Sequence, residues 1–196
     1  MASTRLPKRL FDLFGALGGL LAFSPVMAIV VGAIILEDGW PVLFRQERLG
    51  RCRRPFTILK FRSMRDGRIT RVGRMLRATG LDELPQFINI LRGDMSAVGP
   101  RPLTAADVTR LGWTTPRYDF RWQVLPGLTG LAQVTEARSG RLSLGLDRRY
   151  VARQSLSLDL RLVAVSFVIN ALGKRRVRRL LMRSRWVRAR PLRAPL

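Results

Sequence analysis

Residues 13–36 read LFGALGGLLAFSPVMAIVVGAIIL, a run of 24 residues without a charge. A bilayer-spanning helix needs about 20 apolar residues, so the run is long enough to cross. Ser24 and Pro25 stand at its centre. Proline removes one helical hydrogen bond, and a nearby serine can satisfy the carbonyl that is freed. The run therefore predicts either a kinked transmembrane helix or the two short arms of a re-entrant hairpin.

The charges on the two sides of this run bear on its topology. Residues 1–12 carry three basic groups and one acid, and residues 40–196 carry 33 basic groups and 10 acids. Basic flanks favour the cytoplasm, so a hairpin satisfies both of them, although a long domain can cross a membrane regardless of charge. A cleaved signal peptide is a further reading, but Pro25-Val-Met-Ala28 is a poor cleavage site.

The composition excludes several classes of function. The chain has 196 residues, no His, one Cys and a formal charge of +23. The lack of His excludes imidazole bases and His-type zinc sites, and a single Cys excludes an internal disulfide or a CxxC motif. A hydrophobic content of 47% is too high for a disordered basic tail. The protein is therefore folded, and its partner is polyanionic: nucleic acid, an anionic membrane or a phosphorylated substrate.

The rest of the chain predicts a mixed, helix-rich α/β domain. Residues 42–64 read as strands and turns, with a β-prone run at 55–61. The uncharged stretch 162–173 is too short to span a bilayer, so it packs on the core or lies in the membrane interface. Helices are predicted at 70–79, 82–91 and 105–111, one or two helices over 147–172, and tight loops at 93–102 and 126–130.

The chain ends in a strongly basic segment. Residues 174–193 carry ten basic groups and no acid, with apolar residues interleaved. This pattern suits adsorption to anionic lipid, and equally a solvated tail. The predicted division is a membrane segment at 1–39, a catalytic domain at 40–173 and a basic tail at 174–196.

Asp82 and Glu83 are the first candidates for chemistry. Adjacent acids at a predicted helix N-terminus have a structural explanation, since they complement the helix dipole. Arg74 and Arg77 lie a few residues upstream of them and Arg92 and Arg101 lie downstream, and a carboxylate beside several arginines stays ionised at neutral pH. Such a carboxylate can attack phosphorus or hold Mg²⁺, while arginines neutralise a transferring phosphoryl group. In a chain without His, this set predicts phosphoryl transfer.

Two short segments add basic groups to this set. In Gly99-Pro-Arg-Pro102, prolines restrict the backbone on both sides of Arg101, as a rigid phosphate receptor requires. Lys60-Phe-Arg-Ser-Met64 places Lys60 and Arg62 at the end of a predicted strand. Each segment by itself is also compatible with an ordinary turn or strand end.

In their order and spacing these segments resemble the bacterial sugar transferases, the monotopic phosphoglycosyl transferases that initiate surface-glycan assembly. The resemblance runs from about residue 8 to residue 172. It rests on Lys8-Arg-Leu-Phe-Asp12, Ser24-Pro25, Phe44-Arg-Gln-Glu-Arg-Leu-Gly50, Lys60-Phe-Arg-Ser-Met64, Arg71-Val-Gly-Arg-Met-Leu-Arg77, Leu81-Asp-Glu-Leu-Pro-Gln86, Gly93-Asp-Met-Ser96, Gly99-Pro-Arg-Pro102 and Pro126-Gly-Leu-Thr-Gly-Leu-Ala-Gln133.

The resemblance implies transfer of a sugar-1-phosphate from a UDP-sugar to a polyprenol (undecaprenyl) phosphate, with release of UMP. It implies that Asp82 is the nucleophile of a covalent phosphosugar intermediate, that Glu83 assists, and that Mg²⁺ binds at this dyad. The phosphate and substrate residues that it implies are Arg77, Arg101, Pro100, Pro102, Lys60 and Arg62.

The resemblance also implies a location. Ser24-Pro25 would break a re-entrant membrane helix, so that the catalytic domain lies on the cytoplasmic face of the bacterial inner membrane, with interfacial amphipathic helices and anionic lipids as contacts. A homodimer is a further partner that the family suggests.

The sequence departs from the family pattern at two places. The stretch between Met64 and Arg68 is shorter than usual, which trims a mobile loop near the site, and Gly80 stands where the family has Ser, which loosens the approach to the dyad. The alternative function is a non-enzymatic, membrane-bound nucleic-acid or lipid adaptor. No specific nucleic acid is expected, because a protein of this charge binds DNA non-specifically in any case.

Overall fold

The structure, a computed structural model, describes residues 5–137 and 139–172. The predicted basic tail at 174–196 lies outside the described residues. Within these residues the fold is mixed and helix-rich, as predicted, with α-helices around three two-stranded sheets. The strands are β1 (Leu43–Leu49), β2 (Pro55–Phe61), β3 (Met64–Arg65), β4 (Arg68–Ile69), β5 (Ser96–Val98) and β6 (Gly127–Thr129). The α-helices are α1 (Arg5–Asp38), α2 (Arg71–Thr79), α3 (Gln86–Arg92), α4 (Ala105–Arg110), α5 (Leu131–Val134), α6 (Gly140–Ala152) and α7 (Leu156–Leu172).

Helix α1 packs one face against the rest of the fold. Ala16 is buried in a cluster with Ile90 and Met95, and Ile34 is buried in a second cluster with Leu76. The opposite face is apolar as well, and within the described residues α1 contains the one helix segment, Leu6–Asp38, long and apolar enough to cross a membrane. Large apolar side chains exposed along α1 are Leu6, Leu10, Phe14, Leu17, Leu21, Ile29 and Leu36.

The centre of α1 shows how the helix accommodates Pro25. A proline lacks the N–H that would donate to the carbonyl of Leu21, four residues earlier. Ser24 Oγ donates a 2.8 Å hydrogen bond to that carbonyl. The prediction that a serine hydroxyl replaces the lost hydrogen bond is therefore confirmed. The helix is continuous through Pro25, so the two predicted arms form one helical element, and the re-entrant path stays a prediction.

The N-terminal part of α1 is attached to the domain by polar side chains. Lys8 Nζ lies 2.6 Å from Asp159 Oδ2, and Arg9 donates to backbone carbonyls at the end of α3. The buried Asp12 carboxylate accepts hydrogen bonds from the hydroxyl of Ser96 and the amide of Ala97, at 3.0 and 2.9 Å. These groups lie on β5, which leads directly into the loop that carries Arg101.

The C-terminal end of α1 is attached to α2. Both carboxylate oxygens of Glu37 accept 2.8 Å hydrogen bonds from the backbone amides of Arg71 and Val72. Thr70 caps the same helix by accepting from the amide of Gly73. Amides in a first helical turn have no partner inside the helix, so Glu37 and Thr70 together satisfy three of them. The helix predicted at 70–79 is confirmed, and α1 reaches it directly.

The predicted strands and loops are largely confirmed, with one pairing that the sequence did not indicate. Strands β1 and β2 form an antiparallel hairpin in which Phe44 pairs with Lys60. Asp66 and Gly67 form a tight turn between β3 and β4, which accounts for the short stretch noted after Met64. Segments 93–102 and 126–130, predicted as loops, contain β5 and β6, which pair in parallel.

The predicted helices needed two corrections. The segment 82–91 begins as a 3₁₀ turn (Leu81–Glu83), and the α-helix starts only at Gln86. Pro85 has no N–H to bond the carbonyl four residues back, so this turn tightens to three-residue bonds. The segment 147–172, predicted as one or two helices, contains two, α6 and α7, and the correction is that α6 starts at Gly140, earlier than expected.

Candidate active site

The dyad Asp82–Glu83 lies in the 3₁₀ turn between α2 and α3. Gly80 ends α2 in the left-handed conformation at φ 76° and begins this turn. A left-handed residue at a helix end favours glycine, so Gly80 serves the chain reversal that presents the dyad. Asp82 and Glu83 are both half-buried. Their carboxyl groups are thus removed from helix-capping positions and accessible to a ligand.

Lys60 contacts the dyad from the neighbouring hairpin. Its Nζ lies 2.5 Å from Glu83 Oε1, and both side chains are partly exposed. Lys60 is the next-to-last residue of β2, so the strand carries its ammonium group to the turn. The structure therefore brings together one of the predicted basic residues and the dyad.

Arg77 approaches the dyad from α2. Its Nε donates a 2.8 Å hydrogen bond to the hydroxyl of the buried Ser63, and its charge acts on Asp82. The remaining guanidinium nitrogens lie on an exposed residue and are available to an anion. Ser63 was not among the predicted site residues. Its position within Lys60-Phe-Arg-Ser-Met64 was the signal that could have found it.

The electrostatics of Asp82 differ from the expectation based on its arginine neighbours. Burial raises the pKa of the Asp82 carboxyl, and the adjacent Glu83 raises it further, whereas Lys60 and Arg77 lower it. The net pKa lies above the ordinary value. Burial and a like charge next to it therefore outweigh the two cations. A carboxylate with a raised pKa is a stronger nucleophile when ionised, and the cations are what keep its charged form accessible.

The dyad fits a Mg²⁺ ion that a phosphorylated substrate also binds. The described residues contain no group of three or more carboxylates, Cys or His that could hold a metal by themselves. Mg²⁺ commonly takes one or two carboxylates and completes its shell with waters and substrate phosphates. Asp82 and Glu83 supply that number of carboxylates. The site thus fits a metal that arrives with a diphosphate and does not fit a closed protein cage.

Arg62 is placed differently from the other predicted site residues. Its Nη2 donates to the backbone carbonyls of Asp38 and Gly39 at 3.1 and 2.7 Å. Those bonds attach the end of β2 to the end of α1. The structure thus shows Arg62 in a structural contact, and its role in binding substrate stays a prediction.

The predicted Pro100–Pro102 loop is a separate part of the site. Pro100 and Pro102 are buried, while the Arg101 side chain between them is exposed. Gly99 and Gly127 pack backbone to backbone under the loop, because a Cβ on Gly127 would lie 2.0 Å from the Gly99 nitrogen. Among the described residues, Arg101 forms no hydrogen bond or ion pair with Asp82 or Glu83. The two segments are connected through β5 and α1.

Two basic residues beneath this loop were missed by the sequence reasoning. Arg48 of β1 donates to the carbonyl of Pro102 at 3.3 Å, and Arg121 donates to the carbonyl of Arg101. Arg121 is buried and forms a 2.8 Å ion pair with Asp147 on α6. Arg121 and Asp147 are 26 residues apart, so no local pattern could indicate their contact. Arg48 lies inside Phe44-Arg-Gln-Glu-Arg-Leu-Gly50, one of the segments that carry the family resemblance.

The family model for the bacterial sugar transferases matches residues 3–172. This chain belongs to the bacterial sugar transferase family. Among its relatives is a UDP-glucose:undecaprenyl-phosphate glucose-1-phosphate transferase of Caulobacter vibrioides, 42% identical over 179 residues, covering 81% of this chain and 67% of the relative.

Other relatives of this sugar transferase differ in length. A UDP-N-acetylgalactosamine-undecaprenyl-phosphate N-acetylgalactosaminephosphotransferase of Aeromonas hydrophila is 38% identical, covering 86% of this chain and 45% of the relative. The exopolysaccharide production protein PSS of Rhizobium leguminosarum is 38% identical, covering 80% of this chain and 90% of the relative. The chain thus spans less than half of some curated relatives and most of others.

Proposed function

We propose that this chain is a phosphoglycosyl transferase that moves a sugar-1-phosphate from a UDP-sugar to undecaprenyl phosphate. The products are undecaprenyl-diphosphate-sugar and UMP, and the reaction begins surface-glycan synthesis. The observation that carries the proposal is the partly exposed Asp82–Glu83 dyad, contacted by Lys60 at 2.5 Å and acted on by Arg77. The named activities of the relatives agree with it.

In the first half-reaction, an oxygen of the ionised Asp82 carboxylate attacks the phosphorus that bears the sugar. A bond forms between Asp82 and that phosphorus, the bridging P–O bond breaks, and UMP leaves with the bonding electrons. Arg77 and Lys60 stabilise the negative charge that develops on the phosphoryl oxygens. Mg²⁺, when bound at the dyad, neutralises diphosphate charge.

In the second half-reaction, an oxygen of undecaprenyl phosphate attacks the same phosphorus. The new P–O bond forms as the bond to Asp82 breaks, and the carboxylate is regenerated. Glu83 accepts the proton when the incoming phosphate is still protonated, and Lys60 contacts Glu83 at 2.5 Å. A covalent carrier of this kind implies ping-pong kinetics.

The way α1 is held supports the proposed membrane location. Contacts to the same domain are made near its start by Lys8 and at its end by Glu37, so neither end leaves the domain. A helix that crossed the bilayer would carry one end to the opposite side. The outward face of α1 is apolar along its length and suits the acyl region. The proposal is a re-entrant α1 at the cytoplasmic face of the inner membrane, with anionic lipid beneath the basic domain.

The proposed chemistry is tested by isotope exchange between labelled UMP and a UDP-sugar, without undecaprenyl phosphate. A covalent carrier supports this exchange, and Asp82→Asn should abolish both exchange and net transfer. Asp66→Asn is the matched control, because Asp66 is an exposed carboxylate in the β3–β4 turn. Full transfer activity in Asp82→Asn would refute the mechanism. UMP release that needs no acceptor and gives free sugar phosphate would refute the transferase.

The proposed topology is tested with a membrane-impermeant maleimide. The native Cys52 is exposed and reports the side of the domain, and a cysteine at position 3 in a Cys52→Ser background reports the start of the chain. Both should be labelled in inside-out vesicles and protected in intact cells. Labelling of position 3 from outside the cell would show a crossing helix.

Membership in an enzyme family favours the transferase over the non-enzymatic adaptor.

A further inference from the structure

The loop that carries Arg101 has an unusual backbone arrangement. Four consecutive carbonyl groups, those of residues 100–103, all accept hydrogen bonds from the protein. The amide of Gly127 donates to Pro100 at 2.9 Å, and the amide of Leu49 donates to Leu103 at 2.8 Å. Between these two bonds, a guanidinium donates to each of the remaining carbonyls: Arg121 to Arg101, and Arg48 to Pro102.

The need for guanidinium donors follows from the two prolines. Pro100 and Pro102 supply carbonyls without amides, so the loop contains more acceptors than donors of its own. A buried carbonyl without a donor is costly, and a guanidinium can donate to a carbonyl and a carboxylate at once. Arg121 does so with Asp147 at 2.8 Å, and Arg48 does so with Asp107 at 3.5 Å.

This arrangement has a consequence for the outer side of the loop. The carbonyl oxygens, which carry partial negative charge, are turned toward the protein at all four residues. The Arg101 side chain is exposed, whereas each carbonyl of residues 100–103 is already bonded to a donor of the protein. An anion that approaches Arg101 therefore meets a charged donor without the repulsion of neighbouring carbonyl oxygens.

We infer that Arg48 and Arg121 are positioning residues that turn the 100–103 carbonyls inward, so that Arg101 is presented as a rigid receptor for a diphosphate of the UDP class. The inference rests on the proposed function, in which Arg101 contacts phosphate. Arg48 and Arg121 act through the loop and need not touch the ligand. Their effect on ligand affinity must therefore depend on the presence of Arg101.

The test measures the dissociation constant of UDP, in the presence of Mg²⁺, by calorimetry on the full chain in detergent micelles. Arg101→Ala should raise the constant by roughly tenfold, as expected for the loss of one strong charged contact. Arg121→Met combined with Asp147→Leu should raise it by a similar factor, and Arg48→Gln several-fold. Replacing both members of the buried pair avoids an unpaired charge, so the double variant is expected to fold.

The matched control is Arg53→Met. Arg53 lies 4.0 Å above the ring of Trp122, pairs with Asp119, and donates to the carbonyls of Trp113 and Thr114, but not to the 100–103 loop. The Arg53→Met substitution thus removes contacts of the same kind, an ion pair and hydrogen bonds to carbonyls, from the same aromatic cluster around Trp113 and Trp122. Arg53→Met should shift the thermal midpoint and leave the affinity for UDP within about twofold of the parent.

A double-mutant cycle decides between positioning and general weakening. In an Arg101→Ala background, the Arg48 and Arg121 variants should add less than about twofold, because the group through which they act is gone. Full effects in that background would overturn the inference and leave the transferase standing. An unchanged UDP affinity in Arg101→Ala itself would remove Arg101 from the substrate site and the inference with it, while the Asp82 exchange assay would stay valid.

Discussion

Lys60 Nζ lies 2.5 Å from Glu83 Oε1, so the hairpin β1–β2 supplies the counter-charge of the dyad. Without this ammonium group, two adjacent carboxylates would repel each other in a half-buried turn. The charge of Lys60 also lowers the pKa of Asp82, against the larger effects of burial and of Glu83, which raise it. The strand end and the dyad thus form one electrostatic unit.

The pH dependence of transfer should move when this unit is disturbed. In the proposed mechanism Asp82 must be ionised to attack, and its pKa is already raised, so activity should fall as the pH drops through that pKa. Lys60→Gln and Arg77→Gln each remove a group that lowers the pKa of Asp82. Both should move the acidic limb of the pH–rate profile to higher pH.

The control for this prediction is Arg74→Gln, an exposed arginine on the same helix α2 that is absent from the groups acting on Asp82. Its pH profile should coincide with that of the parent. An acidic limb that moves to lower pH in Lys60→Gln would show that the titrating group is not Asp82.

Substitution of Gly73 should weaken both stability and activity. A Cβ at this position would lie 2.1 Å from the carbonyl oxygen of Ser63, so α2 must move away from β2 and take Arg77 with it. We expect Gly73→Ala to cost about 1–3 kcal/mol in unfolding free energy. Gly145→Ala in α6 meets nothing within 4 Å and should instead be neutral or stabilising. Thermal unfolding compares the two, and equal behaviour would contradict the close packing.

When the ion pair that attaches the start of α1 is removed, the stability of the protein should depend more strongly on pH. Lys8 pairs at 2.6 Å with Asp159, whose side chain is fully buried, so Lys8→Met should cost about 3 kcal/mol. Burial raises the pKa of Asp159 and Lys8 lowers it, so the variant raises it further. A carboxyl whose folded pKa exceeds its unfolded pKa loses stability as the pH rises between the two values.

Lys8→Met should accordingly be more strongly destabilised at about pH 8 than at about pH 5, measured by denaturant unfolding in detergent. The combined variant Lys8→Met with Asp159→Leu should recover much of the loss and its pH dependence. A loss that is the same at both pH values would show that Asp159 does not titrate in the folded protein.

Glu37 should couple the apolar helix α1 to the dyad through α2. Glu37→Gln replaces a carboxylate that accepts from the amides of Arg71 and Val72 with a weaker acceptor at a helix N-terminus. We expect a lower free energy of unfolding and a lower kcat for transfer. The neighbouring Asp38→Asn is the control, because Asp38 contributes its backbone carbonyl to Arg62 and Arg65. A kcat equal to that of the control would separate α1 from catalysis.

Local features of this protein were predictable from sequence. The uncharged run predicted α1, because helix length follows from uninterrupted apolar residues. The apolar period within residues 70–79 predicted α2, and Pro55–Phe61 predicted β2. Asp82 and Glu83 are adjacent in the chain, so their proximity needed no fold. Ser24 and Pro25 predicted a local hydrogen bond for the same reason.

The contacts among the site residues depend on the tertiary structure. Lys60 and Glu83 are 23 residues apart, and Arg121 and Asp147 are 26 apart, so neither pair belongs to one helical or strand period. The parallel pairing of β5 with β6 likewise joins segments that each read as loops. The raised pKa of Asp82 arises from burial, which no count of nearby arginines reveals. The sequence alone shows which chemical groups are present and which of them are neighbours along the chain. Packing decided which charges meet and which carbonyls turn inward, because these depend on contacts between distant segments and on the water that those contacts exclude.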